Sequence, residues 1–374
     1  AQVYSRMDFD SRRMYVLRTA RLARLMSMTE ERVALGALHL AQEAAEDGAA
    51  DHIGTYLLTD EGLQALYASL RLRRSLRFPL ALFFRRHGRG LYLTLLWLGV
   101  AAGLAAGAAL SLPALLIPAW LLVFSQAWRV LLGRVLPRLY PARELPRLHL
   151  PQLEERQRTL LVLPVLLSDP EQAIRMIGRL SELRHADPDT FFDYMLLGDF
   201  GDSLTAEEVA DGLIIRAASS ALEALQADDP DHTYLYLQRR RAYDRGERAW
   251  IGRERKRGSL ESLNRLIVEG TCEDSYDYAS MELSRLHRRY AFVLTLDQDT
   301  VLLPGEAHSL VGTLSHPLAQ RRETAAGWVG VSIVQPRMEI DPAVLRTPLN
   351  RLLAGHAGTD LYHAVSCPLY QRLC

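Results

Sequence analysis

Asp297 and Asp299 are the residues in this chain whose types and spacing point most directly to chemistry. They close the stretch YAFVLTLDQDTVLLPG, Tyr290 to Gly305, where an apolar run meets two acids and then a Pro-Gly turn. A run this short, β-branched and turn-bounded reads as a buried strand of a mostly parallel sheet. On an extended chain residues i and i+2 point the same way, so both carboxylates are expected to project together from the strand's carboxyl end. That is where open α/β sheets bind ligands. Two crowded carboxylates repel unless a cation sits between them, and Mg²⁺ typically takes one or two carboxylates plus substrate phosphates. The pair therefore suggests a divalent metal, Mg²⁺ or Mn²⁺, bridging a diphosphate. A bare D-x-D also describes a polar turn after a strand, so its surroundings have to decide.

Two further features converge on the same edge if their strands share a sheet. Asp199 falls just past an expected strand, in GDFGDS, where a carboxylate can accept hydrogen bonds from a base or ribose; alone, Asp199 or Asp202 also reads as a turn or cap residue. The segment WIGRERKRGSLESLN puts Arg253, Arg255, Lys256 and Arg257 ahead of Gly258 and an expected helix start. Clustered cations beside free backbone N–H groups make a phosphate site, and the same run also fits a solvated charged face. Lys256 is the only lysine, and Asn264 is one of two asparagines. An acidic nucleotide grip, a basic diphosphate helper and a metal pair together suit sugar transfer from a nucleotide-sugar. The metal would act as a Lewis acid, stabilising charge on the departing nucleoside diphosphate. Neither a P-loop nor a dinucleotide fingerprint is present. His308, His316, His356 and His363 lack ligand spacing and read as surface or satisfied core residues.

The elements that must position these residues follow an α/β grammar from about Thr159 onward. Strands are expected over Leu160–Leu167, Phe191–Leu197, Tyr234–Leu237, the Asp297 strand and Trp328–Val334. Helices are expected from Ser168-Asp169-Pro170 to Leu183, from a Thr205 cap to Gln226, over Ser259–Ile267 and over Glu306–Leu314. Residues 1–88 read as a helical segment, with a Ser27/Glu30 capping box and a short helix after Thr59-Asp60.

Between Arg89 and Arg129 no charged residue occurs. A bilayer core needs roughly 20 apolar residues per helix, so residues 89–136 hold a two-helix transmembrane hairpin, about 91–110 and 113–132, turning at Ser111-Leu112-Pro113. A buried hairpin of a soluble protein is the alternative. Arginines flank both ends, which puts both flanks in the cytoplasm after an even number of crossings. Residues 137–158 form a Pro/Arg-rich linker, and 159–374 the α/β domain.

Lys+Arg and Asp+Glu both number 44, so the charge balance gives no sign of a nucleic-acid partner. Cys272, Cys367 and Cys374 are too few and too irregular for a disulfide framework or a zinc site. The chain opens and stops mid-phrase, so it reads as a fragment of a longer polypeptide.

The phrases LLGDFGDS, WIGRERKRGSLESLNRLI, FVLTLDQDTVLLPGEAHSLVGTLSHPL, VSIVQPR and AGHAGTDLYHAVSCPLYQRL, over about residues 155–374, resemble the glycosyltransferase domain of cyclic β-1,2-glucan synthases. SRMDFDSRRMYV and HIGTYLL resemble that family's segment before its membrane hairpin. The resemblance implies a GT-A-like (Rossmann-like) fold that uses UDP-glucose and a divalent metal. It also implies a multi-pass bacterial inner-membrane enzyme, inverting, with a cytoplasmic catalytic domain and a glucan acceptor that is closed into a ring. Carried over, Asp199 helps grip the nucleotide, and Asp297 and Asp299 hold the metal and diphosphate. Lys256, Gly258 and Asn264 border the donor, while Gln335 and Arg337 lie beside the acceptor. The family's general base is expected beyond Leu373, so the fragment binds donor without necessarily completing transfer. Another processive transferase, of the cellulose- or hyaluronan-synthase kind, and a non-catalytic membrane-anchored donor-binding module are the alternatives.

Overall fold

The computed structural model describes residues 2–46, 52–70, 87–139, 145–271, 276–320, 322–324, 327–336 and 346–347. The chain divides into two units: residues 147–315, and the two stretches that flank them.

In the flanking unit a single turn, α1 (Gln2–Ser5), precedes α2 (Phe9–Met26), α3 (Glu30–Glu46), α4 (Ile53–Leu58) and α5 (Asp60–Ser69). Asp8 caps α2 by accepting from Ser11 N at 2.8 Å, and Thr59 caps α5 by accepting from Gly62 N at 3.1 Å. The expected Ser27/Glu30 box does not form. Ser27 is consumed as the left-handed C-cap of α2, with φ 55°, so Thr29 takes over and accepts from Arg32 N.

Helices α6 (Gly88–Ala109) and α7 (Ile117–Leu139) are long and apolar enough to cross a membrane, over Gly90–Ala109 and Ala114–Leu132. Gly99, Gly103 and Gly107 recur every fourth residue and meet the side chains of Trp128, Phe124 and Trp120. A Cβ added at Gly99 would fall 2.2 Å from the Trp128 ring. The indole N–H groups of Trp120 and Trp128 donate to the carbonyls of Gly103 and Leu95, each at 2.9 Å. Small residues let the rings lie against backbone, and the indole protons find acceptors in an apolar setting. Gly99→Leu is expected to wedge the pair apart at a cost of about 1–3 kcal/mol. The readout is unfolding temperature and tryptophan emission in detergent, and unchanged values of both would refute the ring-on-glycine packing.

The α/β unit begins before the expected Thr159. Leu150 and Leu153 are buried in its core, and Leu148 N donates to Gly312 O at 3.0 Å, so the end of the expected linker is packed structure. Its elements are β1 (Thr159–Leu167), α8 (Pro170–Ala186), β2 (Phe192–Phe200), α9 (Val209–Asp228) and β3 (Thr233–Arg239). Then come the short β4 (Ala242–Asp244) and β5 (Ala249–Ile251), α10 (Arg255–Glu269), β6 (Tyr276–Ala279), β7 (Phe292–Thr295) and α11 (Glu306–Leu314). Asp169 caps α8 with Pro170 at its first position, as expected. Thr205 does not cap α9. Its hydroxyl bonds locally to Glu207 O, and the helix starts at Val209 through a Glu208/Asp211 capping box.

The central sheet runs β6-β3-β2-β1-β7, parallel except for β6. Alternation divides β1 between two cores. Leu161, Leu163, Val165 and Leu167 pack with Ile177, Leu180, Ile214, Ala218 and Val311 of the helices on one face. Leu160 and Val162 pack with Leu263, Leu266 and Ile267 of α10 on the other. Helices on both faces of a mostly parallel sheet make this a doubly wound α/β unit. The expected strand over Trp328–Val334 does not join this sheet. Only Gly327–Val329 is strand (β9), paired antiparallel with β8 (Arg322–Thr324), and it belongs to the flanking unit.

Each unit holds a histidine shielded from solvent, His308 partly and His316 fully, and the two have opposite signs of pH response. In the α/β unit, His308 lies between Asp187 and Asp189, bonding Asp187 through Nδ1 and Asp189 through Nε2 at 3.0 Å. The Asp187 hydrogen bond, reinforced by Asp189, raises its pKa above 6.5 against the opposing effect of burial. In the flanking unit His316 is fully buried, edge-on to His52 at 5.1 Å, and burial with the nearby His52 pushes it down to about 4. A raised folded pKa contributes stability that is complete below the unfolded value and lost as pH rises through the folded one; a depressed histidine pKa does the reverse. Thermal unfolding between about pH 4 and 9 should therefore lose its alkaline slope in His308→Gln and its acid slope in His316→Gln. Unaltered slopes in these variants would remove both assignments.

Candidate functional site

Strand β7 ends at Thr295 and the last bond to its neighbour runs from Leu296 N to Val162 O at 3.0 Å, while β1 continues to Leu167. A crevice opens along the carboxyl half of β1. Pro164 has the same parity as Val162, so its missing N–H falls on the side that β7 has vacated. The chain order also reverses here, from β1–β2–β3 on one side to β7 on the other, which is the topological switch point of an open α/β sheet.

A cavity of about 650 Å³ occupies this crevice. It is lined by Pro164, Val165 and Leu166 of β1, by Ser168 and Gln172, by Asp199 and Asp202, by Gly252, Arg255, Lys256 and Ser259, and by Asp297, Gln298 and Asp299. Sequence-derived Asp199, Lys256, Asp297 and Asp299 thus share one cavity. The reason differs from the expected one for the acid pair. The strand stops before them, and Asp297 and Asp299 lie in the following turn, both exposed. A turn, rather than strand periodicity, brings them to the same wall.

Gly258 and Asn264 are not brought to the lining. Helix α10 starts at Arg255, not at Ser259, which places Gly258 inside its first turn, buried, with a Cβ there meeting Arg253 O at 2.0 Å. Asn264 is exposed farther along the helix. Gln335 is exposed and belongs to the flanking unit, and Arg337 lies outside the described residues, as do Cys272, Cys367, Cys374, His356, His363 and the 354–373 phrase.

Arg239 is the site residue that sequence reasoning passed over. Its side chain is fully buried, and its Nε and Nη2 donate to the two oxygens of Asp199 at 2.7 and 2.9 Å. Nη1 and Nη2 also donate to the carbonyls of Arg253 and Arg255, each at 2.9 Å. One guanidinium therefore ties the end of β2 to the backbone that enters α10, where Glu254 and Arg255 adopt φ 53° and 52°. Gly252 permits this approach, since a Cβ there would lie 3.0 Å from both Arg239 Nη2 and Asp199 Cγ. The signal available beforehand was a strand running into three arginines, one of them directly opposite Asp199 in the β2–β3 register.

Most of the charge at the cavity rim is paired. Arg255 donates to Asp202 at 2.9 Å and to Glu247 at 2.8 Å; the Asp202 hydrogen bond raises its already high pKa, so it stays cationic. Lys256 Nζ bonds the Asp297 carboxylate. Among the described residues no side chain donates to the Asp299 carboxylate, and no group of three or more His, Cys, Asp or Glu is arranged to hold a metal ion. Two carboxylates on one cavity wall suit a divalent ion that takes its remaining ligands from a substrate and water.

Fold and site define a class: a mostly parallel α/β unit with a charged ligand cavity at its switch point, in a chain that also carries two membrane-length apolar helices. No family model matches this chain. It is 29% identical over 229 residues to the cyclic β-(1,2)-glucan synthase NdvB of Rhizobium meliloti (strain 1021), an alignment covering 59% of this chain and 8% of that protein.

Proposed function

We propose that this chain carries the donor site of a membrane-bound glucosyltransferase of glucan synthesis, with a GT-A-like fold and UDP-glucose as donor. The observation that carries the reading is that Asp199, Lys256, Asp297 and Asp299 line one cavity at the sheet's switch point. The similarity to a cyclic β-(1,2)-glucan synthase supports the choice of glucose and of a β-1,2-glucan product closed into a ring; inversion at the transferred carbon is part of the same proposal. A divalent ion on Asp297 and Asp299, when bound, supplies Lewis acidity toward the leaving diphosphate. Lys256 and Arg255 add positive charge beside the same diphosphate, and Asp199, held still by Arg239, presents its carboxylate to the nucleoside. The apolar walls of Pro164, Val165 and Leu166 exclude water from the base. The α6–α7 hairpin anchors the unit at the cytoplasmic face of the bilayer, with arginine on both flanks. The acceptor is the growing glucan.

The test is transfer of labelled glucose from UDP-glucose by membranes containing the chain, with other nucleotide-sugars in parallel. Preferential turnover of another donor would favour a transferase of the cellulose- or hyaluronan-synthase kind. UDP–Mn²⁺ binding without any transfer would favour a donor-binding module that needs the rest of a longer polypeptide.

A further inference from the structure

We propose that Lys256 makes the cavity take its divalent cation together with a diphosphate rather than alone. The inference rests on the diphosphate reading above and adds to it a role for the ammonium group.

Three observations carry it. Lys256 already sits on Asp297, where a metal would have to bind, so an incoming ion must displace a resident positive charge. The two side chains are 49% and 61% exposed, so the pair is able to open without unpacking the fold. The metal-binding set is also incomplete: Asp297 and Asp299 leave a six-coordinate ion short of ligands, and no third His, Cys, Asp or Glu joins them among the described residues. A diphosphate resolves both difficulties. Its oxygens complete the ion's shell, and its charge gives Lys256 another anion to pair with as it leaves Asp297.

The residue type fits the task. Of 44 basic residues, this is the one lysine. An ammonium is a compact point charge on a flexible stem and moves between single acceptors, whereas a guanidinium is a rigid fork. The neighbouring arginines are used as forks: Arg239 grips Asp199 with two nitrogens, and Arg255 spans Asp202 and Glu247. Because coupling between two ligands is reciprocal, the same lysine makes diphosphate binding depend on the metal.

The experiment measures Mn²⁺ binding to the purified intact chain by water-proton relaxation, with and without UDP, for wild type, K256Q and K256R. Exposed ion pairs of this kind are modest, so K256Q should bind Mn²⁺ alone about two- to fivefold more tightly than wild type. It should also bind UDP–Mn²⁺ more weakly, so that the gain in Mn²⁺ affinity produced by UDP shrinks. K256R, which keeps the charge, should stay closer to wild type in the absence of UDP. Opposite changes in the two affinities are what a merely structural lysine would not give. Equal Mn²⁺ affinities of wild type and K256Q without UDP would overturn the role of Lys256 and leave the diphosphate reading standing. Failure of wild type to bind UDP–Mn²⁺ at all would overturn that reading, and this one with it.

Discussion

An Asp297→Asn/Asp299→Asn double variant loses Mn²⁺-dependent UDP binding, and any glucose transfer by the chain falls roughly 100- to 1,000-fold. The size follows from what a metal supplies at a leaving diphosphate, several kcal/mol of charge stabilisation, with about 1.4 kcal/mol for each factor of ten. Asparagine keeps the shape of each side chain and removes its charge, so the ion loses both of its protein ligands. Both positions are exposed at the cavity wall, so the fold should barely respond; surface changes of this sort usually stay within about 0.5 kcal/mol. Calorimetry with UDP and Mn²⁺ and a thermal scan separate the two effects. If the double variant and wild type bind UDP–Mn²⁺ alike, the acid pair is a polar turn and no metal site.

Arg239→Met is the variant with the largest expected effect on stability. It removes the guanidinium that pairs with the buried Asp199 carboxylate and leaves the carbonyls of Arg253 and Arg255 without this donor. Removing one partner of a buried pair costs about 3–5 kcal/mol, because the remaining charge is desolvated and uncompensated. In a unit of this size that corresponds to a drop of roughly 6–20 °C in melting temperature. Arg239→Lys keeps a charge but not the fork, and should fall between. Pairing Arg239→Met with Asp199→Leu should recover much of the loss, since the cost lies in the unpaired charge rather than in the absent bridge. A melting point within a degree of wild type for Arg239→Met alone would mean that water reaches Asp199 freely. The ligand site would then lack the anchor that fixes Asp199 against the start of α10.

Much of the α/β unit was legible because strand and helix periods are local. The continuous apolar run of β1, the Asp169-Pro170 start of α8 and the limits of α11 all depend on residues close together in the chain. The apolar stretch of α6 and α7 was legible for the same reason, since membrane-length hydrophobicity is a property of consecutive residues. Helix starts were read less well where two caps competed. Ser27 and Thr205 carry the right side chains, yet neighbouring backbone geometry used them for other bonds.

By itself the sequence determined which acids and cations could act together, the parallel strands of the central sheet and the two apolar helices. The tertiary structure decided how those charges are paired. Arg239 on Asp199, Lys256 on Asp297 and Arg255 on Asp202 join residues 40, 41 and 53 positions apart, and no local pattern encodes them. It also decided that the acid pair sits in a turn past the strand, that α10 starts before Gly258, and that Trp328–Val334 stays out of the central sheet. The physical reason is common to all of these. Propensity and hydrophobic period act along the chain, whereas ion pairing and sheet membership depend on which distant segments the packed core brings within hydrogen-bonding reach.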